Sequence, residues 1–259
     1  LAGGTDLYPA TGARNLAGNL LDLTAVDGLD GIASGQDGLR IGALARWSAI
    51  AAAPLVPALD ALKQAAREVG GRQIQNAGTI GGNLCNASPA ADGVPPLLAV
   101  GAEVELVSRA GTRRLPLADF LIGPRRTALG QGELLAAVIV PRSAQNGRSR
   151  FLKLGARAYL VISVAAVAVR IVEREGLVAE AAVAVGACSP VARRLTAVEA
   201  ALIDGPVAGA AGRVREADLA GALEPIDDVR ATASYRTMAT AELVRRAIDD
   251  LTGGEGREP

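Results

Sequence analysis

The sequence predicts an α+β protein in two parts, and three features of its 259 residues carry that prediction. Short apolar segments bounded by Gly or Asp open the chain and read as strands. Two longer apolar segments, 161–173 and 177–185, flank Glu175-Gly176 as the arms of a hairpin. Apolar residues at helical spacing then dominate from Thr196 to Leu251. The pattern changes across the polar segment 143–149, which divides the chain into residues 1–146 and 147–252, with a tail at 253–259 expected to fray.

Each element has its own signal. Segments 20–24, 30–34 and 38–43 are expected as strands. From Ala45 the spacing turns helical, through Trp47 and Ile50 to Pro54, and again from Leu55 to Val69. Residues 70–96, rich in Gly, Asn and Pro, read as a long ordered loop, and loops of such length inside a domain are usually functional. Val104 to Val107 alternates with Glu, Gly111 makes a turn, and Leu134 to Val140 is a further strand ending at Pro141. After the hairpin, helices are expected at Thr196–Ile203, across 207–223, and from Ser234 to Leu251. The last is capped by Ser234 and buries a face containing Tyr235, Met238, Val244, Ile248 and Leu251. Only two Phe, three Tyr and one Trp occur, so Ala, Val, Leu and Ile must fill the core.

Composition excludes several function classes. Lys plus Arg equals 27 and Asp plus Glu equals 27, leaving no basic field for nucleic acid. Histidine is absent, which removes Ser-His-Asp and Cys-His catalysis and His-ligated zinc. Cys85 and Cys188 stand far apart and cannot by themselves hold an iron–sulfur cluster, so no metal site is expected. Cys85 reads as a small buried hydrophobe and Cys188 as core. Low cysteine content fits a reduced, cytoplasmic setting. No apolar stretch approaches the roughly 20 residues of a membrane span. Redox chemistry on this chain would need an organic cofactor.

Two glycine-rich motifs are candidates to hold one. Ala2-Gly3-Gly4-Thr5-Asp6 opens the chain, and Thr79-Ile80-Gly81-Gly82-Asn83 follows Asn76-Ala77-Gly78. Glycines let backbone N–H groups approach and converge on phosphate oxygens, and Thr5, Thr79 and Asn83 add neutral donors. Neither motif has the spacing of a P-loop or of GxGxxG. On local chemistry alone, phosphate cradles and plain tight turns stay equally open.

The two motifs, followed by Ala87-Ser88-Pro89-Ala90-Ala91-Asp92, resemble the FAD-binding medium subunits of molybdenum hydroxylases. That family includes carbon monoxide dehydrogenase, 4-hydroxybenzoyl-CoA reductase and the flavin domain of xanthine dehydrogenase. The resemblance continues in family order through Leu117-Ala118-Asp119-Phe120, Glu133-Leu134-Leu135, Phe151-Leu152-Lys153-Leu154, Ser163-Val164-Ala165 and Ser234-Tyr235-Arg236. It implies a vanillyl-alcohol-oxidase-like FAD domain of two subdomains over 1–146 and a smaller domain of antiparallel sheet and helices over 147–252. It also implies that Ala2 to Asp6 and Thr79 to Asn83 wrap the FAD diphosphate. Asp92 would bond the ribityl region, Leu135 would pack by the flavin or adenine, and Lys153 would lie close to the flavin. Family members carry a strand and helix before Gly3, so the N-terminus reads as truncated or processed. The cysteine-bearing loop that holds a 4Fe–4S cluster in the reductase relatives is absent.

The function implied is electron transfer. Electrons would arrive from 2Fe–2S clusters on a small subunit, after hydroxylation at a molybdopterin cofactor on a large subunit. FAD here would pass them to NAD or another acceptor, and no side chain of this chain is expected to be catalytic. The rivals are an assembly subunit that has lost flavin and a stand-alone flavin oxidase of the same fold. Lys153 and Arg157 read equally as acceptor-steering or as exposed ion-pair residues, Tyr159 as a flavin cover or core, and Arg125-Arg126 as solvated or rim residues. The Asn86-Ala87-Ser88 sequon is read as accidental.

Overall fold

The computed structural model describes residues 1–12, 16, 18–158 and 160–253. Tyr159 and the tail beyond Gly253 lie outside the described residues.

The chain opens with a single helical turn, α1 (Leu7–Thr11). The strand expected at 20–24 does not form. Leu20 and Leu21 are exposed, and the Asp22 carboxylate accepts from the Thr24 N–H at 2.9 Å, a local side-chain turn that competes with pairing. β1 (Ile32–Ser34) and β2 (Gly38–Gly42) form a hairpin, followed by α2 (Trp47–Ala52) and α3 (Asp60–Glu68). Segment 70–96 is not one long loop. It holds α4 (Arg72–Ala77), α5 (Ile80–Asn86) and the start of α6 (Val94–Ala99). Helices this short leave no periodicity to read, and Pro95 and Pro96 sit in a first turn, where a missing N–H costs nothing.

β3 (Glu103–Ser108), β4 (Gly111–Pro116), α7 (Leu117–Phe120), β5 (Leu121–Gly123), β6 (Arg126–Thr127) and β7 (Leu134–Pro141) complete the first half. Its five-stranded sheet runs β1-β2-β7-β3-β4 with antiparallel neighbours. The central strand β7 is buried from Leu135 to Val140, which is why it reads as a continuous apolar run. β3 buries Val104 and Leu106 and turns Glu105 outward to Arg40 and Arg114, each at 3.1 Å.

The second half is a four-stranded antiparallel sheet built from β8 (Arg148–Leu154), β9 (Ala165–Arg174), β10 (Leu177–Gly186) and β11 (Arg193–Arg194). α8 (Thr196–Leu202), α9 (Ala217–Ala220) and α10 (Ala233–Thr252) cover one face. The first hairpin arm starts at Ala165 rather than 161. The helix expected across 207–223 is a 3-10 turn at Ala210–Arg213, preceded by Gly209 at a φ of 71°, plus α9, with Val214 extended between them. α10 is capped by Thr232, whose hydroxyl accepts from the Tyr235 N–H at 3.2 Å, not by Ser234. Tyr235 and Met238 are exposed. Arg236 is buried instead, with Nη1 donating to the carbonyls of Val164 and Ala187 and Nη2 to Asp228, while its Nε finds no acceptor among the described residues.

Both faces of this second sheet are buried, and they differ in side-chain size. Val167, Val169, Val183 and Val185 pack under α8 and α10. Ala166, Ala168, Ala182 and Ala184 face the first half and join its core with Leu97 and Leu98 of α6. Alanine brings the sheet close to α6, and a Cβ on Gly186 would lie 3.0 Å from the Pro95 ring. No helix among the described residues is long and apolar enough to cross a membrane.

Candidate functional site

The two glycine motifs come together although about seventy residues separate them. A Cβ on Gly3 would stand 1.9 Å from the Ala77 carbonyl oxygen, so the first loop lies directly on the backbone of the second. Gly4 has a φ of +67°, which turns the chain into α1. Between them is a cleft of about 460 Å³, walled by residues 1–7 on one side and by Gly78, Thr79, Gly82 and Asn83 on the other. Trp47, Val69 and Ile74 give it apolar surface.

The amides of the two loops are used differently. In the second loop they are spent within the protein from Ile80 to Asn83, and only the Thr79 N–H has no acceptor among the described residues. Ile80 N donates to Ala45 O at 3.0 Å, Gly81 N to Ala43 O at 2.8 Å and Asn83 N to Thr79 O at 3.0 Å. Gly82 N donates to Thr79 Oγ1 at 3.0 Å, which caps α5. The expectation that both loops aim N–H groups at one diphosphate is therefore corrected for Ile80 to Asn83, whose amides are occupied. In the first loop, no described residue accepts from the N–H of Gly3, Gly4, Thr5 or Asp6. Those donors need an acceptor from water or a ligand. The second loop instead gives the cleft a wall without Cβ at Gly78 and Gly82, and the side chain of Asn83. Asn83 Oδ1 is buried with no donor among the described residues, an orphaned polar atom that a ligand could satisfy.

The remaining expected site residues are placed as follows. Ile80 is fully buried in the core, and Gly81 packs on Ala43, where a Cβ would approach to 2.7 Å. A bulky residue at Gly81 would thus strike the β2 side of the fold rather than intrude on the cleft. Leu135 is buried in β7 opposite Leu106 and does not line the cleft. Asp92 and Lys153 are brought to each other. Lys153 Nζ lies 2.6 Å from Asp92 Oδ2, and Ser163 Oγ donates to Asp92 Oδ1 at 2.6 Å. Burial pushes the Asp92 carboxyl up, opposed by the charge and hydrogen bond of Lys153 and by Ser163. Lys153 also lines a second cavity of about 520 Å³ with Arg67, Glu68 and Arg157. Glu68 faces that cavity and Val69 the glycine cleft, so the two lie on either side of the end of α3.

Two residues differ from their sequence reading. Cys85 is exposed, whereas Cys188 is buried against Thr240 Oγ1 at 3.3 Å. Arg125 is no generic rim residue, because it enters the cleft wall from the β5–β6 hairpin. No local signal marked it; only the fold brings residue 125 beside residue 86.

Comparison with known proteins settles the lineage. Residues 1–143 match the model of the FAD binding domain in molybdopterin dehydrogenase. Residues 150–251 match the CO dehydrogenase flavoprotein C-terminal domain. The chain belongs to the FAD-binding medium subunits of the molybdenum hydroxylase family. It is 38% identical over 169 residues to the nicotinate dehydrogenase FAD-subunit of Eubacterium barkeri, covering 63% of this chain and 57% of that relative. The match thus spans little more than half of that protein. Over 253 residues it is 30% identical to the nicotine 6-hydroxylase medium subunit of Paenarthrobacter nicotinovorans, covering 96% of this chain and 87% of the relative. In three dimensions it is similar to carbon monoxide dehydrogenase from Hydrogenophaga pseudoflava, with a TM-score of 0.87 and 29% identity. That superposition covers 98% of this chain and 88% of the other. The α+β architecture expected for a molybdenum hydroxylase flavoprotein, an FAD domain followed by a smaller domain of sheet and helices, is the one observed.

The cleft fits the cofactor that the family implies. It offers unspent backbone donors, glycines in both walls, and an orphaned polar atom. Among the described residues no group of His, Cys, Asp or Glu could hold a metal ion.

Proposed function

We propose that this chain is the electron-transfer subunit of a multi-subunit molybdenum hydroxylase. It would take electrons from the 2Fe–2S clusters of a small subunit, downstream of a large molybdopterin subunit, and deliver them to an external acceptor such as NAD. Bound FAD supplies the two-electron redox chemistry. The chain's own residues bind, orient and shield. Ala2 to Asp6 present N–H donors to the diphosphate, and Thr79 and Asn83 close the opposite wall. Gly78 and Gly82 leave room for close approach, and Trp47, Val69 and Ile74 exclude water from one side. Asp92 and Lys153, ion-paired behind the end of α3, fix the charge beside the second cavity. No side chain moves a proton in this scheme, consistent with a sequence lacking histidine.

The observation that carries the proposal is the row of unspent amides in the first loop, in a cleft whose other wall holds Gly78 and Gly82 and the orphaned Asn83 Oδ1. The test is the absorption spectrum of the purified protein together with co-purification. A flavin band released as FAD on denaturation is expected, with molybdopterin and iron–sulfur subunits in the same complex. A colourless protein that binds no added FAD would sink the proposal. Flavin without those partners would instead favour a stand-alone oxidase.

A further inference from the structure

The glycine cleft has a charge problem that its two loops do not solve. A diphosphate brings negative charge, yet the ionisable side chain within the loops is Asp6, itself an anion lining the cleft. The first loop can offer hydrogen bonds but no full positive charge. A cationic side chain reaching the cleft from another part of the chain would offset that charge and tighten the hold on a dinucleotide.

Arg125 meets that need. It stands at the tip of the hairpin between β5 and β6, directly after Pro124, with a φ of +58°. A turn with Pro first and a left-handed residue second selects Gly or Asn at that position. Arginine there is strained, and the surroundings hold it in place. Its backbone N donates to Ala87 O at 2.8 Å, and its Nη1 donates to Asn86 O at 3.3 Å and to the Asn86 side-chain oxygen. Ala87 is itself left-handed, with a φ of 45°, where it ends α5. Both residues line up with the helix that starts at the second glycine motif, so the guanidinium is tethered to the same element that walls the cleft. With Nη1 occupied by Asn86, no described residue accepts from Nε or Nη2. Arg125 and Asn86 both line the cleft.

Resting on the reading of this cleft as an FAD site, we propose that Arg125, oriented by Asn86, supplies the cationic contact to the cofactor's diphosphate and so selects FAD over flavins without one. Arg125 is a binding residue, and Asn86 a positioning residue acting through it. The strained turn is the local cost of presenting a guanidinium where the glycine loops present none.

The test compares FAD with riboflavin on the full chain. Apoprotein is titrated with each, following flavin fluorescence, for the wild type and for Arg125→Gln, Arg125→Lys and Asn86→Ala. Arg125→Gln is expected to weaken FAD binding roughly tenfold to a hundredfold, the range of a lost charge-assisted hydrogen bond. Riboflavin binding should be unchanged. Arg125→Lys should recover part of the loss, and Asn86→Ala should cost less than Arg125→Gln. Added salt should weaken FAD binding in the wild type more than in Arg125→Gln. If the wild type binds FAD and Arg125→Gln binds it equally well, the Arg125 assignment is overturned while the flavoprotein reading survives. If the wild type binds no FAD, both fall. Equal losses for FAD and riboflavin would also overturn the assignment, since that pattern means general damage to the site. Should Arg125→Gln fail to fold, the salt dependence of wild-type FAD binding decides alone, and its absence counts against the proposal.

Discussion

Asp92 and Lys153 meet at 2.6 Å across the seam between the two halves, with each side chain only 8% exposed. Asp92 belongs to the turn before α6, and Lys153 to β8 of the second sheet. Ser163 completes the arrangement on the other carboxylate oxygen. Burial alone would favour the neutral acid; the ammonium and the hydroxyl hold the carboxylate in place. The pair therefore joins the halves as a unit in which neither member can be removed alone without stranding the other.

Lys153→Met is accordingly expected to cost about 3–5 kcal/mol of unfolding free energy, because it leaves a buried carboxylate without its counter-ion. The double variant Asp92→Asn, Lys153→Met should regain most of that loss. Urea denaturation of the three proteins measures both quantities. A double variant no more stable than the single one would mean that the stranded charge is not the cause.

Gly3→Ala places a methyl group 1.9 Å from the Ala77 carbonyl oxygen, and backbone cannot yield there cheaply. The first loop must lift off the second and carry its unspent amides away from the cleft. FAD affinity is expected to drop by about tenfold or more, each factor of ten being about 1.4 kcal/mol of lost contact. Thermal unfolding of the apoprotein should barely change, since the loop lies outside both cores. Flavin titration and calorimetry together check this. Unchanged affinity would show that the loop contact does not matter for binding.

Acid should loosen the start of α10. The Asp228 carboxyl is held down to about 2, first by the N–H of Arg230, then by Arg236 and the N–H of Ala231. A carboxyl depressed in the folded state binds fewer protons there than in the unfolded chain. Its stabilising contribution is thus complete above the ordinary value of 3.8 and is lost as pH falls toward about 2. Asp228→Asn should flatten this part of the stability-versus-pH curve. Thermal midpoints measured across that range give the comparison, and parallel curves for the two proteins would refute it.

Ala184→Leu tests the fit between the second sheet and α6. Ala184 is fully buried on the face that joins the first core. Overpacking at such a position costs about 1–3 kcal/mol. Val183→Leu, one residue away on the opposite face, should cost less, because it packs under helices rather than against a close-set sheet.

Much of this could be read from the residues. The alternation of Ala and Val along Ala165–Val169 and Ala182–Val185 already encodes a sheet with one small face and one larger face. Leu134 to Val140 announced a central strand by its unbroken apolar run. The short helices of 70–96 were illegible because one or two turns cannot display a 3.6-residue period. At the site, both glycine loops stood out by composition, but their roles did not. Whether an amide is spent depends on which carbonyl folds against it, and Ala43 and Ala45, the partners of Gly81 and Ile80, carry no mark of that use. Arg125 was hidden for a related reason. A pair of arginines in a turn is ordinary until the hairpin is seen to lean on Asn86. Tyr235 and Met238 show the converse error, since apolar spacing on α10 continues past the point where there is anything to cover it.

The alanine face has a mechanical corollary. Side chains a single carbon long leave no lever arm about which two bodies could rock, and the ridge of Pro95 seats against Gly186 with no slack. A protease cut between Arg142 and Gly147 would therefore sever the polypeptide without parting the pieces, which should travel together through a sizing column. The glycine cleft, walled wholly by residues of the first half, would keep its shape through such a cut.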